Sequence, residues 1–473
     1  MMKRAAPSRT HSLGVLSRLQ WVAAPMVSQS DAPYRSLCLK YGATCAYTEM
    51  LYSDRVVSDP DYLNAYLPAA DHIFEQQGYP TRPLVVQVCG NDPATLANAV
   101  ERIALVGGVD AVDLNLGCPQ DRAQADLFGS FLLDAQHWPR VFQCVRACAR
   151  RLASLPTKLP MLCKIRLIEG DLVSKTTAFC LGLIEAGAAA ICIHGRGRGS
   201  TKKRRAGPAD LTAVSLVAAL IHQRHPAFPV ICNGNIRDAQ EALGARGTKH
   251  CCGVMSAEGL LKDPALFVGL KRYPHPDPDS PNSPDSDSPN SPDSDSPDSP
   301  ASDSPDSDSG SPGPPSPSLK DCFREYCDLS EEYRRAGGWG GLDLYCAQRK
   351  LGTGPATAPA TAAATPIAAA TLAPATAPAP GPGLPPAPGA PAPPPQDLAE
   401  SRQIFAARQH LCWMLGKTGH GRTVRYDFRG GFAKQVHLLK ALNDAKTMDD
   451  LREIGDGCLP GRGESRERAQ DQA

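Results

Sequence analysis

No apolar run in this 473-residue chain reaches the roughly 18–20 residues that a membrane-crossing helix requires, so no membrane span is expected. Cys-x-x-Cys pairs are also missing, although the chain has 17 cysteines; zinc-type knots are not indicated and no metal site is expected. Many of these cysteines lie inside apolar strand-like runs (Cys89, Cys163, Cys192, Cys232, Cys251, Cys252), and their total is odd, which suits a reduced, intracellular protein rather than a disulfide framework. Cys144 and Cys148, four apart on a predicted helix, are assigned to packing. Acidic residues are absent from the first 21 positions, which are basic and contain serine. That composition fits either a short transit peptide or a plain leader over residues 1–19. The expected location is the cytoplasm or nucleus, with an organelle as the alternative.

Two further absences mark breaks in the chain. Residues 276–319 hold 10 Asp and no Lys or Arg, and residues 353–396 carry no charge at all. The net charge of +1 therefore hides an uneven distribution: with those ten aspartates set aside, 50 basic residues stand against 39 acidic ones. The remainder is basic, as suits a polyanionic partner. Within the first break, Ser-Pro-Asn-Ser-Pro-Asp-Ser-Asp occurs at 280–287 and again at 288–295. Such a segment has too little apolar surface to form a core and is predicted to be disordered. The second break, almost all Ala, Pro, Thr and Gly, is predicted to be a linker.

What is present between about Val22 and Phe267 is a concentration of apolar residues. Eight short runs alternate with helix-like segments: Val22–Met26, Cys45–Met50, Leu84–Gly90, Ala111–Cys118, Met161–Leu167, Ala189–Gly195, Val230–Asn235 and Cys252–Glu258. Most lack strict alternation, as parallel strands buried on both faces do. The predicted helices include Pro33–Tyr41, Pro93–Val106, Val173–Ala186 and Ala209–Ile221. This order gives an α/β fold, a (β/α)8 TIM barrel over residues 20–272. A doubly wound open sheet fits less well, because no Gly-rich dinucleotide fingerprint follows the first strand. A Ser/Pro/Asp-rich insert then covers 273–319. Residues 320–350 carry Phe323, Tyr326, Leu329 and Tyr333 at helical spacing, and residues 397–455 carry Ile404, Leu411, Met414, Leu415, Val436, Leu439, Leu442 and Leu451. These are predicted to form one small helical domain split by the 351–396 linker and followed by a polar tail, 456–473. Its second part is basic (Arg402, Arg408, Lys417, Arg422, Arg425, Arg429, Lys434). The Gly-Lys-Thr-Gly-His-Gly-Arg stretch at 416–422 lacks the full spacing of a phosphate loop.

In such a barrel, chemistry sits at the C-terminal strand ends. Those ends carry Pro25-Met26-Val27, Thr48-Glu49-Met50, Gln87, Asn115 with Cys118, Lys164 with Arg166, His194-Gly195-Arg196, Asn233-Gly234-Asn235 and Ala257-Glu258. Each alone has a bland structural explanation: a Gln in a strand satisfies a local hydrogen bond, and a lone His or Cys is most often a packed core residue. Together they suit flavin mononucleotide (FMN). Gln87 and a backbone group near Met26 match the pyrimidine edge of the ring. Lys164 matches the negative charge of its reduced form. Asn233-Gly234-Asn235 and the Ser256–Gly259 turn lie where barrels of this kind hold phosphate.

The motifs Ala24-Pro25-Met26-Val27, Thr48-Glu49-Met50, Val86-Gln87-Val88-Cys89-Gly90-Asn91, Asn115-Leu116-Gly117-Cys118-Pro119, Cys163-Lys164-Ile165-Arg166, His194-Gly195-Arg196 and Asn233-Gly234-Asn235 resemble those of the tRNA-dihydrouridine synthases. The Met255-Ser256-Ala257-Glu258-Gly259 turn is similar to the eukaryotic branch acting at positions 16 and 17 of the D-loop. The resemblance covers roughly residues 20–270 and is weaker over 320–455. It implies FMN contacts at Pro25, Met26, Val27, Gln87, Lys164, His194, Asn233, Gly234, Asn235, Ala257 and Glu258. It makes Cys118 the proton donor, and Asn115, Arg166 and Arg196 substrate residues. The implied reaction uses NADPH (or NADH) as reductant and tRNA as partner, with the chain expected to act as a monomer. The target base leaves the RNA stack, and a thiol with an ordinary pKa of about 8.5 carries a labile proton near neutral pH.

The chain departs from the family after Pro119. It reads Gln120-Asp121-Arg122-Ala123-Gln124-Ala125-Asp126-Leu127-Phe128-Gly129-Ser130 where a basic lid is usual, so weaker RNA contacts are expected there. Lys202-Lys203-Arg204-Arg205 supplies compensating charge, and Glu258 is expected to meet a phosphate through its backbone N–H. Two other readings stay open: a flavin enzyme of free pyrimidines, like dihydroorotate or dihydropyrimidine dehydrogenase, and a tRNA-binding homologue that has lost catalysis.

Overall fold

The computed structural model describes residues 14–67, 74–199, 207–247, 250–270, 317–336 and 445–459, with short pieces between 403 and 441. The Ser/Pro/Asp insert, the Ala/Pro linker, Lys202–Arg205 and most of the basic second part of the helical domain lie outside the described residues.

Strands β1 (Trp21–Ala23), β2 (Cys45–Tyr52), β3 (Leu84–Cys89), β4 (Ala111–Leu116), β5 (Met161–Arg166), β6 (Ala190–His194), β7 (Val230–Asn233) and β8 (Gly253–Ser256) pair in sequence order into a closed barrel. All eight neighbouring pairs are parallel, and β8 closes on β1 through Trp21↔Val254, Val22↔Met255 and Ala23↔Ser256. The eight apolar runs are thus eight strands. Two of them stop short for identifiable reasons. β1 ends before Pro25, which has no N–H to give a ladder. β4 ends at Leu116 because the Asn115 side-chain oxygen takes the next two N–H groups, of Gly117 (3.0 Å) and Cys118 (2.9 Å).

Helices α1 (Ala32–Lys40), α2 (Ser53–Ser58), α3 (Pro60–Tyr66), α4 (Pro93–Val106), α5 (Asp121–Ala125), α6 (Trp138–Ser154), α7 (Leu172–Ala186), α8 (Leu211–His222), α9 (Ala239–Arg246) and α10 (Glu258–Lys262) complete the barrel. Five of the longer ones start the same way. Asp31, Asp92, Asp171, Asp210 and Asp238 each accept a hydrogen bond from the N–H three residues on. Each such cap stabilises its helix by about 1 kcal/mol. Cys144 and Cys148 are buried on α6, as packing residues.

Alternation along the strands makes two cores. Outward residues such as Val86, Val112, Cys163 and Ile191 pack under the helices. Inward residues Val22, Cys45, Val85, Ala111, Leu162, Ala190, Ile231 and Met255 fill the barrel floor. Val15 and Leu19, from the end of the N-terminal leader, join that inner core and cover its base. The cover is tight: a Cβ on Gly253 would lie 1.6 Å from the Leu19 carbonyl oxygen. Gly253→Ala must therefore push the base aside. A loss of about 1–3 kcal/mol or more is expected, from the usual cost of overpacking. Thermal melting checks this, and an unchanged Tm would contradict the closure.

Beyond the barrel, α11 (Leu319–Arg335) and α12 (Met448–Cys458) both begin with capping boxes, Ser318 with Asp321 and Thr447 with Asp450. Phe323, Tyr326, Leu329 and Tyr333 are buried on one side of α11, as their spacing predicts, and Leu411, Met414 and Leu451 are buried with them. Arg324 makes a two-pronged contact with Asp456 (2.6 and 2.8 Å), which joins α11 to α12. The attachment to the barrel centres on His410. Its ring is fully buried, stacks on Tyr34 of α1 (centroids 4.3 Å apart) and lies 4.5 Å from the ring of Tyr326. His410 Nε2 is 2.8 Å from Asp31 Oδ2, while Asp31 Oδ1 caps α1 through Tyr34 N–H at 3.0 Å.

Candidate active site

The strand tips converge on a cavity of about 300 Å³ at the C-terminal mouth. Nine of the residues singled out from the sequence line it: Pro25, Met26, Val27, Gln87, Asn115, Cys118, Lys164, Ala257 and Glu258. Gln29, Met50, Gly117, Gln120 and Leu261 line it too. Of these, Met50 and Gly117 belong to the motifs Thr48-Glu49-Met50 and Asn115-Leu116-Gly117-Cys118-Pro119, and Gln120 opens the segment that departs from the family, whereas Gln29 and Leu261 had no sequence signal. His194, Asn233, Gly234, Asn235, Arg166 and Arg196 are not part of that lining.

The β1–α1 loop is held from several sides. Ser30 Oγ accepts the Met26 N–H at 2.9 Å and donates to the Ala24 carbonyl at 3.2 Å. Arg35, buried, donates to the Ser30 carbonyl at 2.7 Å. Glu49 reaches across from β2 and accepts the Ser28 N–H at 2.5 Å, which anchors a residue in the left-handed region (φ 61).

The thiol turn is held as firmly. Besides the two N–H groups taken by Asn115, the Cys118 carbonyl accepts from Ser130 N (3.0 Å) and Ser130 Oγ (3.0 Å). Arg166 Nε donates to the Gly117 carbonyl at 2.7 Å. Arg166 thus ties the turn to β5 and also reaches the Gly197 carbonyl at 3.3 Å. Cys118 itself is half-buried at the cavity wall.

Asn115 is fully engaged. Its oxygen takes the two backbone N–H groups, and its Nδ2 donates to Gln87 Oε1 (2.8 Å) and faces Met50 Sδ (3.1 Å). Gln87 in turn donates from Nε2 to Asp113 Oδ2 at 2.8 Å. One N–H and one lone pair of Gln87 remain for a ligand in the cavity.

Cations gather at the mouth around His194: Lys164 and Arg166 from β5 and Arg196 just after β6. Desolvation lowers the pKa of Lys164, and desolvation with Lys164, Arg166 and Arg196 nearby pushes His194 well below the usual range, so its ring is neutral at pH 7. His194 Nδ1 is buried with no hydrogen-bond partner. Asn233 is fixed by donating to the Met255 carbonyl at 2.7 Å, and Arg196 holds the Asn235 side chain. Between them Gly234 has φ +118, and a Cβ there would come within 2.7 Å of Ala209 Cβ. The turn therefore needs glycine, whose bare backbone suits close approach of an anion.

The segment after Pro119 is more settled than its acids suggest. Asp126 pairs with Arg122 four residues earlier (2.8 Å), and that guanidinium lies 5.1 Å from the Tyr52 ring centroid. A second cavity, of about 170 Å³, opens beside this segment. Arg198 lines it, pairs with Asp134 at 2.8 Å and covers the Phe131 ring at 5.0 Å. Arg198 lay outside the sequence motifs.

Asp113 is fully buried, and desolvation raises its carboxyl pKa to about 7 against the pull of Gln87 and Lys164. The sign of the linkage follows. A carboxyl with a raised native pKa binds more protons folded than unfolded, so it costs stability progressively as pH rises from about 4 to about 7. Asp113→Asn is expected to melt above the wild type at pH 8, with the gap closing toward pH 4. A gap that does not change with pH would contradict this.

These features define a class: a barrel with a thiol, a desolvated lysine and an anion-ready turn around one mouth. The chain belongs to the dihydrouridine synthase (Dus) family, whose profile matches residues 22–287. It is 34% identical over 248 residues to a Rattus norvegicus protein named tRNA-dihydrouridine(16/17) synthase, NAD(P)(+)-like, a match covering 52% of this chain and 51% of the relative. It is 32% identical over 254 residues to the Schizosaccharomyces pombe tRNA-dihydrouridine(16/17) synthase (54% and 58%). A Homo sapiens protein named tRNA-dihydrouridine(20a/20b) synthase-like is 30% identical over 253 residues (54% and 72%). The chain thus spans about half the length of the 16/17-type relatives it matches.

Proposed function

We propose that this protein is an FMN-dependent tRNA-dihydrouridine synthase that reduces the C5=C6 bond of a D-loop uridine, at the 16/17 positions named for its relatives. The observation that carries the reading is the Cys118 turn, which presents a thiol to the same cavity that Lys164 and Gln87 line. FMN fits the donor set. Gln87 keeps a free N–H and lone pair for a pyrimidine edge, and the orphaned His194 Nδ1 and the Gly234 turn offer contacts to an anionic group. Bound there, FMN supplies hydride chemistry, with NADPH or NADH as the reductant.

The roles of the chain's own residues follow from their chemistry. Lys164 places a cation, strengthened by desolvation, against developing negative charge. Cys118 holds a proton at Sγ for C5 of the uracil. Asn115 meets the base by exchanging its weak Met50 sulfur contact for a uracil carbonyl, while its oxygen keeps hold of the Cys118 turn. Pro25, Met26 and Val27 offer backbone and apolar surface. Ala257 and Glu258 present the first N–H groups of α10, which favours backbone over side-chain contact at Glu258. Arg166 and Arg196 add positive charge that attracts an RNA phosphate.

Purified protein is expected to be yellow and to form dihydrouridine in tRNA with NADPH, mapped by position. Free uracil and dihydroorotate serve as competing substrates. A colourless protein that takes up no FMN, or turnover of the free pyrimidines alone, would overturn the assignment.

A further inference from the structure

One group in the barrel remains without a role in this reading. Asp113 sits on the inward face of β4, two residues before Asn115 and opposite Gln87 in the β3–β4 register. It is entirely shut off from solvent. The ionisable groups whose charges act on it or respond to it are Lys164 from β5, Tyr47 from β2, Cys163 from β5 and Cys192 from β6. Among the described residues, Gln87 is its one hydrogen-bond donor, and its second oxygen is buried without a partner.

Gln87 and Asn115 carry amides that can enter a hydrogen-bond chain with either end first. An ionised carboxylate cannot, because it only accepts, and Asp113 is in that form above about pH 7. With Asp113 at the base, Gln87 must turn Nε2 toward it and leave Oε1 facing up. Asn115 must then give Nδ2 to Gln87, which leaves Oδ1 for the N–H groups of Gly117 and Cys118. Reversing either amide sets acceptor against acceptor or donor against donor. We propose that Asp113 is a positioning residue: the N–H groups of Gly117 and Cys118 are obligate donors at the upper end of the chain, Asp113 is the matching obligate acceptor at its base, and by anchoring Gln87 and through it Asn115 it holds the turn that carries the Cys118 thiol. The inference rests on the reading of Cys118 as the reacting thiol, but its test does not require turnover.

The test is the rate at which iodoacetamide alkylates Cys118 in the flavin-loaded full chain at about pH 8–9, where Asp113 is ionised, followed by mass spectrometry. Asp113→Asn keeps the shape of the side chain and removes its obligatory acceptor. The expected change is about two- to tenfold in alkylation rate, the range set by one hydrogen bond. The double variant D113N/Q87E moves the carboxylate one link up, where it still accepts from Asn115 Nδ2, and should bring the rate back toward the wild type. Gln87→Leu breaks the next link without altering position 113 and should shift the rate in the same direction as D113N, which covers a failure of D113N to fold. A wild-type rate in D113N, or a double variant no closer to wild type than the single, overturns the proposal. In an active protein, D113N is also expected to lower kcat while leaving KM for tRNA in place. Absence of dihydrouridine formation in the wild type would sink the functional reading and leave the alkylation result standing.

Discussion

Replacing Cys118 by alanine should leave the protein yellow and folded and lower dihydrouridine formation by about 10²–10⁴-fold, the usual contribution of a positioned proton donor. The turn that carries the thiol is held by its backbone, through Asn115, Ser130 and Arg166, and none of those contacts uses the sulfur. The side chain can therefore be removed without unfastening the turn. The measurement is single-turnover oxidation of the reduced flavin by tRNA, with flavin content read from the visible spectrum. A variant that retains the wild-type rate would remove Cys118 from the chemistry.

The second large effect is expected at Lys164. Lys164 lines the cavity and its ammonium is desolvated by burial, where a charge acts more strongly than in solvent. Lys164→Met keeps the length and apolar stem of the side chain and deletes the charge. Loss of one such electrostatic stabiliser typically costs about 10²–10³ in rate. The flavin midpoint potential should move in the negative direction, because the electron-rich reduced form would lose a cation that lines its cavity. Spectroelectrochemistry of the holoprotein reads this directly, and a potential equal to wild type would show that Lys164 acts elsewhere.

The barrel was legible in the sequence because parallel strands buried on both faces must be apolar throughout, and eight such runs stood out. The strand-tip residues were legible for a related reason: once a run is a strand, its last residues have only one place to be. Other parts left no such trace. Ser53–Tyr66 forms two short helices, α2 and α3, whose few residues show no clear helical period. Asp113 reads as a letter in a motif until β3 and β4 are set in register, which brings Gln87 opposite it from 26 positions away. Arg198 and Phe131 belong to separate loops and meet only because the β4 and β6 connections cross the same rim. The contact of His410 with Asp31 spans 379 positions and depends on how α11 settles against α1, which no local pattern encodes.

That contact has a mechanical result. The carboxylate of Asp31 is shared: one oxygen opens α1 and the other receives a ring from near the far end of the chain. One residue before it, Ser30 braces the backbone of Met26 at the rim of the mouth. The helices remote from the barrel are thus linked, through Asp31 and its neighbour Ser30, to the loop beside the strand-tip cavity.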